Sequence, residues 1–243
     1  MNGGAKTGAG VLRLENVEKT FVLHLRGGAR LPVVAGVSLG VDAGECVALD
    51  GPSGTGKSSI LKMIFGNYRV DCGQILLREN GGWTDITTSG PRDILRLRRN
   101  VLGYVSQFLR VIPRVSCLDL VAASAREGGM PAPAALERAR ELLSRLNLPE
   151  RLWGLPPATF SGGEQQRVNI ACGFASYRPV MLLDEPTASL DVANSGAVID
   201  LINECKSRGS AILGIFHDPQ IRARAASRIV DVRAFAQGSQ QHA

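Results

Sequence analysis

Long hydrophobic runs are missing from this 243-residue chain. No apolar stretch approaches the ~18 residues needed to span a bilayer, and Met1 to Gly10 has no hydrophobic signal core. A cytoplasmic protein without direct membrane insertion is therefore expected. Cysteine is sparse: Cys46, Cys72, Cys117, Cys172 and Cys205 are odd in number and form no C-x-x-C pair, so reduced thiols are the expectation. Aromatic residues make up only 5% of the chain, which leaves few platforms on which bases could stack. The excess of 28 basic over 22 acidic residues then reads as arginines on solvated helix faces, densest at Arg92, Arg96, Arg98 and Arg99. No nucleic-acid partner is expected. The length allows one or two domains with a sizeable core, and the reading is one domain carrying an inserted lobe.

What is present is more specific. Gly51-Pro52-Ser53-Gly54-Thr55-Gly56-Lys57-Ser58 fits the phosphate-loop spacing G-x-x-x-x-G-K-[ST] at every fixed position. Cys46 to Leu49 before it reads as a buried strand, and Ile60, Leu61, Ile64 and Phe65 after it recur at helical spacing. Glycines let consecutive N–H groups curl around an anion, and the helix beginning near Lys57 points its positive end at the same place. Lys57 is expected on the β- and γ-phosphates, with the Ser58 hydroxyl on Mg²⁺. Asp50 places a carboxylate beside this anion site: turned toward the loop it would weaken nucleotide binding, turned away it is a polar strand end.

The rest of the chain surrounds that loop. Residues 1–10 are Gly-rich and expected to be disordered, and Val11 to Val17 reads as a first strand. A hairpin tip is expected at Arg26 to Arg30 and a second hairpin across Asp42-Ala43-Gly44. Further strands are expected at Gly73–Leu77 and Trp83–Ile86, turning at Glu79 to Gly82, and at Val101–Val105. From about Ser116 to Tyr177 the pattern is mostly helical, with Pro133 in a first turn and Ser161 and Glu164 at capping-box spacing. Val180–Leu183 and Ala211–Phe216 are continuous apolar runs, as strands buried on both faces would be. The division expected is a nucleotide-binding core with an antiparallel β-subdomain (residues 11–95 and 178–243) and an inserted helical subdomain (96–177). Ligands of open α/β sheets bind at the carboxyl ends of strands, so Lys57, Asp184, Glu185 and His217 can converge.

The order phosphate loop, Gln107, Ser161-Gly162-Gly163-Glu164-Gln165, Leu183-Asp184-Glu185-Pro186, Ser189-Leu190-Asp191, His217 resembles the ATP-binding-cassette (ABC) ATPase family at each element and over nearly the whole chain. The resemblance implies an α/β P-loop NTPase that binds ATP with Mg²⁺ and hydrolyses it. It implies that Phe21 stacks on adenine, that Gly51 through Ser59 hold the phosphates, and that Ser58, Gln107 and Asp184 serve the metal. It further implies that Glu185 polarises the attacking water, with Gln107, His217 and Lys57 in the catalytic group. Ser161, Gly162, Gly163 and Glu164 would meet the γ-phosphate of a nucleotide held by an opposite subunit, in a homo- or heterodimer closed by ATP. Cys172 departs from the arginine usual at its position, so a salt bridge between lobes is expected to be missing and the closed state to be less tight, and a Ser161 hydroxyl that caps its own helix would be partly occupied.

Within the family, Phe21 to His24, Ser106 to Arg114, Pro149 to Trp153 and Gly214 to Asp218 resemble the PhnL-type cassettes of the bacterial carbon–phosphorus (C–P) lyase system. That implies a role in phosphonate breakdown beside C–P lyase core subunits and a PhnK-like cassette, with Gln107 to Arg114 as a candidate partner surface. The alternatives are the nucleotide-binding subunit of a membrane ABC transporter of lipoprotein-export type, and an assembly factor that clamps a complex with little turnover.

Overall fold

A computed structural model of the chain describes residues 10–23, 27–109 and 112–235. The expected disorder of residues 1–9 lies outside the described residues, as do His24, Arg26, Arg110 and Val111 of the stretches quoted above.

Two sheets lie side by side. The first is antiparallel, in the order β2-β1-β4-β5, built from β1 (Gly10–Leu23), β2 (Ala29–Asp42), β4 (Cys72–Glu79) and β5 (Gly82–Asp85). The second is parallel, in the order β6-β7-β8-β3-β9, built from β3 (Cys46–Asp50), β6 (Leu102–Val105), β7 (Val180–Asp184), β8 (Ala211–Ile215) and β9 (Arg228–Asp231). Every residue of β7 and β8 is buried, the condition their unbroken apolar runs call for.

Side chains alternate across a strand, so the inner strands β3, β7 and β8 each feed two cores. Val47 and Leu49, Val180 and Leu182, and Leu213 and Ile215 pack toward α1 (Lys57–Ile64) and the antiparallel sheet. Cys46 and Ala48, Met181 and Leu183, and Ile212 pack toward the helices on the other face. Those helices are α3 (Cys117–Glu127), α4 (Ala132–Arg145), α5 (Gly162–Gly173) and α6 (Val192–Ser207). Ser116 caps α3 and Asp191 caps α6, each by accepting a backbone N–H with its side chain, and α4 has proline in its first turn.

The structure corrects four expectations. Gly10, expected at the end of a disordered terminus, already pairs with Asp42 in β1. β1 does not stop at Val17 but runs on to Leu23; Asn16 sits at φ 48° where the register with both neighbours shifts, so a bulge breaks the alternation without ending the strand. The turn at Asp42-Ala43-Gly44 forms, with the Glu45 N–H donating to the Asp42 carbonyl, yet it is no hairpin: it carries the chain from one sheet to the other. Residues 96–177 are not all inserted, because β6 pairs with β7 inside the parallel sheet. The helical segment therefore begins after Val105, and α2 (Pro91–Asn100) leads into the sheet.

Candidate functional site

β3, β7 and β8 are parallel, so their carboxyl ends lie along one edge, with Asp184 in register beside Ile215 and Leu49 also beside Ile215. The loop after β3 is held by its glycines. Gly56 has φ +88°, and a Cβ there would stand 2.9 Å from the Val33 carbonyl oxygen, so no other residue fits. Lys57 is buried and folds back over the loop, its Nζ donating to the carbonyls of Gly51 (2.7 Å) and Pro52 (2.8 Å). Thr55 Oγ1 donates to the same Pro52 carbonyl at 2.8 Å. First-turn amides have no carbonyl within their own helix, and among the described residues those of Lys57, Ser58 and Ser59 find none elsewhere. The loop is thus an N–H-lined cradle with an ammonium at its lip, the chemistry an oligophosphate requires.

The acidic side of the site is equally defined. Asp184, 3% exposed, accepts from Ser58 Oγ at 2.9 Å on Oδ1 and from Tyr104 Oη at 3.0 Å on Oδ2. Burial first, and then the Asp184 charge, push the Tyr104 hydroxyl well above its ordinary range, which keeps it a proton donor. Glu185 follows with φ +54°, a left-handed backbone that turns the chain sharply out of the strand, its N–H anchored on the Ile215 carbonyl at 3.2 Å. Its Oε1 lies 2.7 Å from His217 Nε2, and its Oε2 accepts from Gln107 Nε2 at 3.3 Å. Among the described residues no group of three or more His, Cys, Asp and Glu side chains forms a metal cage. The Asp184 carboxylate and the Ser58 hydroxyl, in contact with each other, are hard oxygen donors that suit Mg²⁺ shared with phosphate oxygens, so they fit ATP with that ion, while Gln107 is held on Glu185.

A cleft of about 350 Å³ joins these parts: Phe21 and Leu31, Lys57 and Ser58, and Glu185 and His217 line it together. Phe21 is half-buried, edge-on to Tyr68 at 5.1 Å with Lys19 Nζ 5.3 Å from its ring centroid, so it serves the packing and the cleft at once. Ser161 to Glu164 do not line this cleft. They open α5 as a complete capping box, in which Ser161 N–H donates to Glu164 Oε2 at 2.8 Å, Ser161 Oγ donates to the same oxygen at 2.7 Å, and the Glu164 N–H returns to Ser161 Oγ. Those two bonds from Ser161 hold the Glu164 carboxyl below its usual range. The Ser161 hydroxyl is therefore engaged within its own helix.

Several side chains that the sequence did not single out tie the site together. Asn169 Nδ2 donates to the Ser106 carbonyl at 2.6 Å and Gln166 Nε2 to the Pro186 carbonyl at 3.0 Å, which anchors α5 to the segments bearing Gln107 and Glu185. Spacing gives no sign of these contacts, since both residues sit inside a regular helix. Cys172 on the same helix makes no ion pair, and burial pushes its thiol up to about 12.

Asp50 faces away from the phosphate loop's ligand side: Oδ1 takes Arg222 Nη1 at 2.6 Å, from α7 (Pro219–Ala225). Arg222→Ala should therefore release an unpaired carboxylate beside the anion site and weaken ATP binding by about two- to fivefold, the range of a half-exposed pair worth ~0.5–1 kcal/mol. Fluorescence titration with labelled ATP measures this, and adding Asp50→Asn should restore the affinity; an unchanged affinity in Arg222→Ala would refute the role.

A sequence profile of the ABC transporter family matches residues 34–188. The lipoprotein-releasing system ATP-binding protein LolD of Paramagnetospirillum magneticum is 39% identical over 214 residues, 88% of this chain and 91% of that protein. LolD 2 of Caulobacter vibrioides is 38% identical over 224 residues, 92% of this chain and 94% of that protein. Among solved structures, the dimeric post-hydrolysis state of the ATP-binding cassette MJ0796 bound to ADP and Pi superposes with a TM-score of 0.81 at 28% identity, covering 90% of this chain and 93% of that one.

Proposed function

Because the chain belongs to the ABC transporter family, as a cassette with the P-loop ATPase fold, we propose that it is the nucleotide-binding subunit of a membrane transporter of the lipoprotein-export type. Its cofactors are ATP and Mg²⁺. The observation that carries the reading is the meeting of Lys57, Ser58, Glu185 and His217 in one cleft, with Asp184 bonded to Ser58, in a chain similar to LolD proteins along most of its length.

Each residue then has a task. The amides of the loop from Gly51 to Ser59 cradle the phosphates, and Lys57 trades its two carbonyl partners for the β- and γ-oxygens. Phe21 offers its ring to adenine, a contact of ~1–3 kcal/mol for an aromatic platform. Ser58, Asp184 and Gln107 would hold Mg²⁺, which would supply neutralising charge to the phosphates. Glu185 orients water for in-line attack, while His217 fixes the Glu185 carboxylate and reaches the γ-phosphate. Ser161 to Glu164 lie outside the cleft, so they serve the nucleotide of a second copy, whose signature segment closes this cleft in turn. No helix of the described residues is long and apolar enough to cross a membrane; the permease supplies the span, and this chain sits at its cytoplasmic face.

The narrower expectation of a PhnL-type C–P lyase subunit is held as the second reading. It is favoured by the stretches at residues 21–24, 106–114, 149–153 and 214–218, which fall largely outside the shared ATPase motifs. The relatives named above carry a different function in their names, that of lipoprotein release. Tagged Glu185→Gln isolated with ATP from detergent-solubilised membranes of its host separates the two. A polytopic permease as the stoichiometric partner is the expected result; C–P lyase core subunits or a PhnK-like cassette in its place would move the chain to phosphonate chemistry.

A further inference from the structure

A buried carboxylate at a metal site must be held in one rotamer, because an Asp that swings by one oxygen presents a different ligand to the ion. Asp184 ends β7, where Leu182, two residues back, points to the same face. Tyr104 of β6 is the register partner of Leu182 and packs on that same face. The tyrosine side chain is long enough to pass along the strand to the next residue on its side, and its hydroxyl arrives 3.0 Å from Asp184 Oδ2. The ring itself is fixed from behind. Phe65, at the end of α1, lies against it with ring centroids 4.9 Å apart, and Arg98 of α2 covers Phe65 at 4.5 Å. Arg98 is fixed too, its Nε donating to the Phe65 carbonyl at 2.9 Å and its Nη2 to Asn67 Oδ1 at 2.7 Å.

We propose that Tyr104 is a positioning residue for the metal-shell carboxylate: its hydroxyl holds Asp184 Oδ2, so that Oδ1 stays turned toward Ser58 and the cation position. The inference rests on the nucleotide-binding reading above and adds a residue to it. Ser58 and Asp184 supply ligand atoms; Tyr104 supplies none and acts only through Asp184. Its effect therefore falls on the affinity for the metal and leaves the affinity for the metal-free nucleotide alone. A phenylalanine keeps the ring on Phe65 and removes only the hydroxyl.

The test compares wild type with Tyr104→Phe in two titrations: ADP in the presence of EDTA, and Mn²⁺ into the ADP complex, followed by electron paramagnetic resonance. Metal-free ADP affinity should agree within about twofold, whereas Mn²⁺ binding should weaken about tenfold or more, as loss of a ligand's hydrogen-bond partner does. In an Asp184→Asn background, Tyr104→Phe should add nothing, since the group it positions is gone. Equal Mn²⁺ affinity in the two proteins would overturn the proposal while leaving the nucleotide site intact, as would a loss of metal-free ADP affinity as large as the loss for Mn²⁺. A wild-type chain that binds no ADP at all would overturn both this proposal and the reading it rests on.

Discussion

Glu185→Gln is expected to lower ATP turnover by about 10²–10⁴-fold, the range for removal of a positioned general base, while ATP affinity stays within a few-fold. Both carboxylate oxygens already have partners, His217 on one and Gln107 on the other, so the side chain is aimed before any ligand arrives. Its backbone is held in a left-handed conformation that a glutamate adopts at a cost, anchored through its N–H to β8. Glutamine has the same shape and retains the hydrogen bonds a neutral amide can make, but it cannot take a proton from water. Phosphate release, measured at saturating ATP alongside a binding titration, checks both halves of the expectation. Turnover within tenfold of wild type would remove Glu185 from the chemistry.

Lys57→Ala is expected to lose ATP affinity by roughly 30-fold to several thousandfold, corresponding to the ~2–5 kcal/mol lost when one partner of a buried charge pair is truncated. The side chain is 8% exposed and its ammonium is held over the loop by the Gly51 and Pro52 carbonyls. Alanine removes the cation from the phosphates and takes one donor from each carbonyl, leaving Pro52 with Thr55 Oγ1 and Gly51 without its side-chain donor, so the loop loses shape as well as charge. Lys57→Arg separates these effects, since it keeps the charge but not the compact ammonium geometry. Thermal unfolding with and without Mg-ATP gives the readout: the wild type should be stabilised by ligand and Lys57→Ala should not. An equal ligand-induced shift in the two proteins would contradict the assignment.

The parts of the fold legible in sequence were those whose signal is local. β7 and β8 announce themselves because burial on both faces demands unbroken apolar residues, and α5 does so through the Ser161 and Glu164 capping box. Pairing was less legible than the strands themselves. Asp42-Ala43-Gly44 turns the chain in the same way whether the flanking strands pair or diverge, and only the switch from the alternating pattern of β2 to the unbroken apolar run Cys46–Leu49 of β3 hints that they part. β6 was drawn into the helical lobe because its partner β7 comes only after α3, α4 and α5 in the chain. The site divides in the same manner. Its loop is a contiguous spacing, but the contact of Ser58 with Asp184 joins residues 126 apart, and it was the binding of ligands at the carboxyl ends of open-sheet strands, together with the family resemblance, that placed the two regions in one site. Tyr104, within an otherwise apolar strand, reads as packing until the register sets it beside Leu182 and Asp184.

The separation of Ser161–Glu164 from the cleft makes closure by a second copy the central claim, and mass in solution tests it most directly. Glu185→Gln should sediment as a monomer of 25.9 kDa without nucleotide and at twice that mass with saturating Mg-ATP, reverting when Ser161 is replaced by a bulky arginine. A variant that binds Mg-ATP stoichiometrically and remains at the monomer mass would contradict the account.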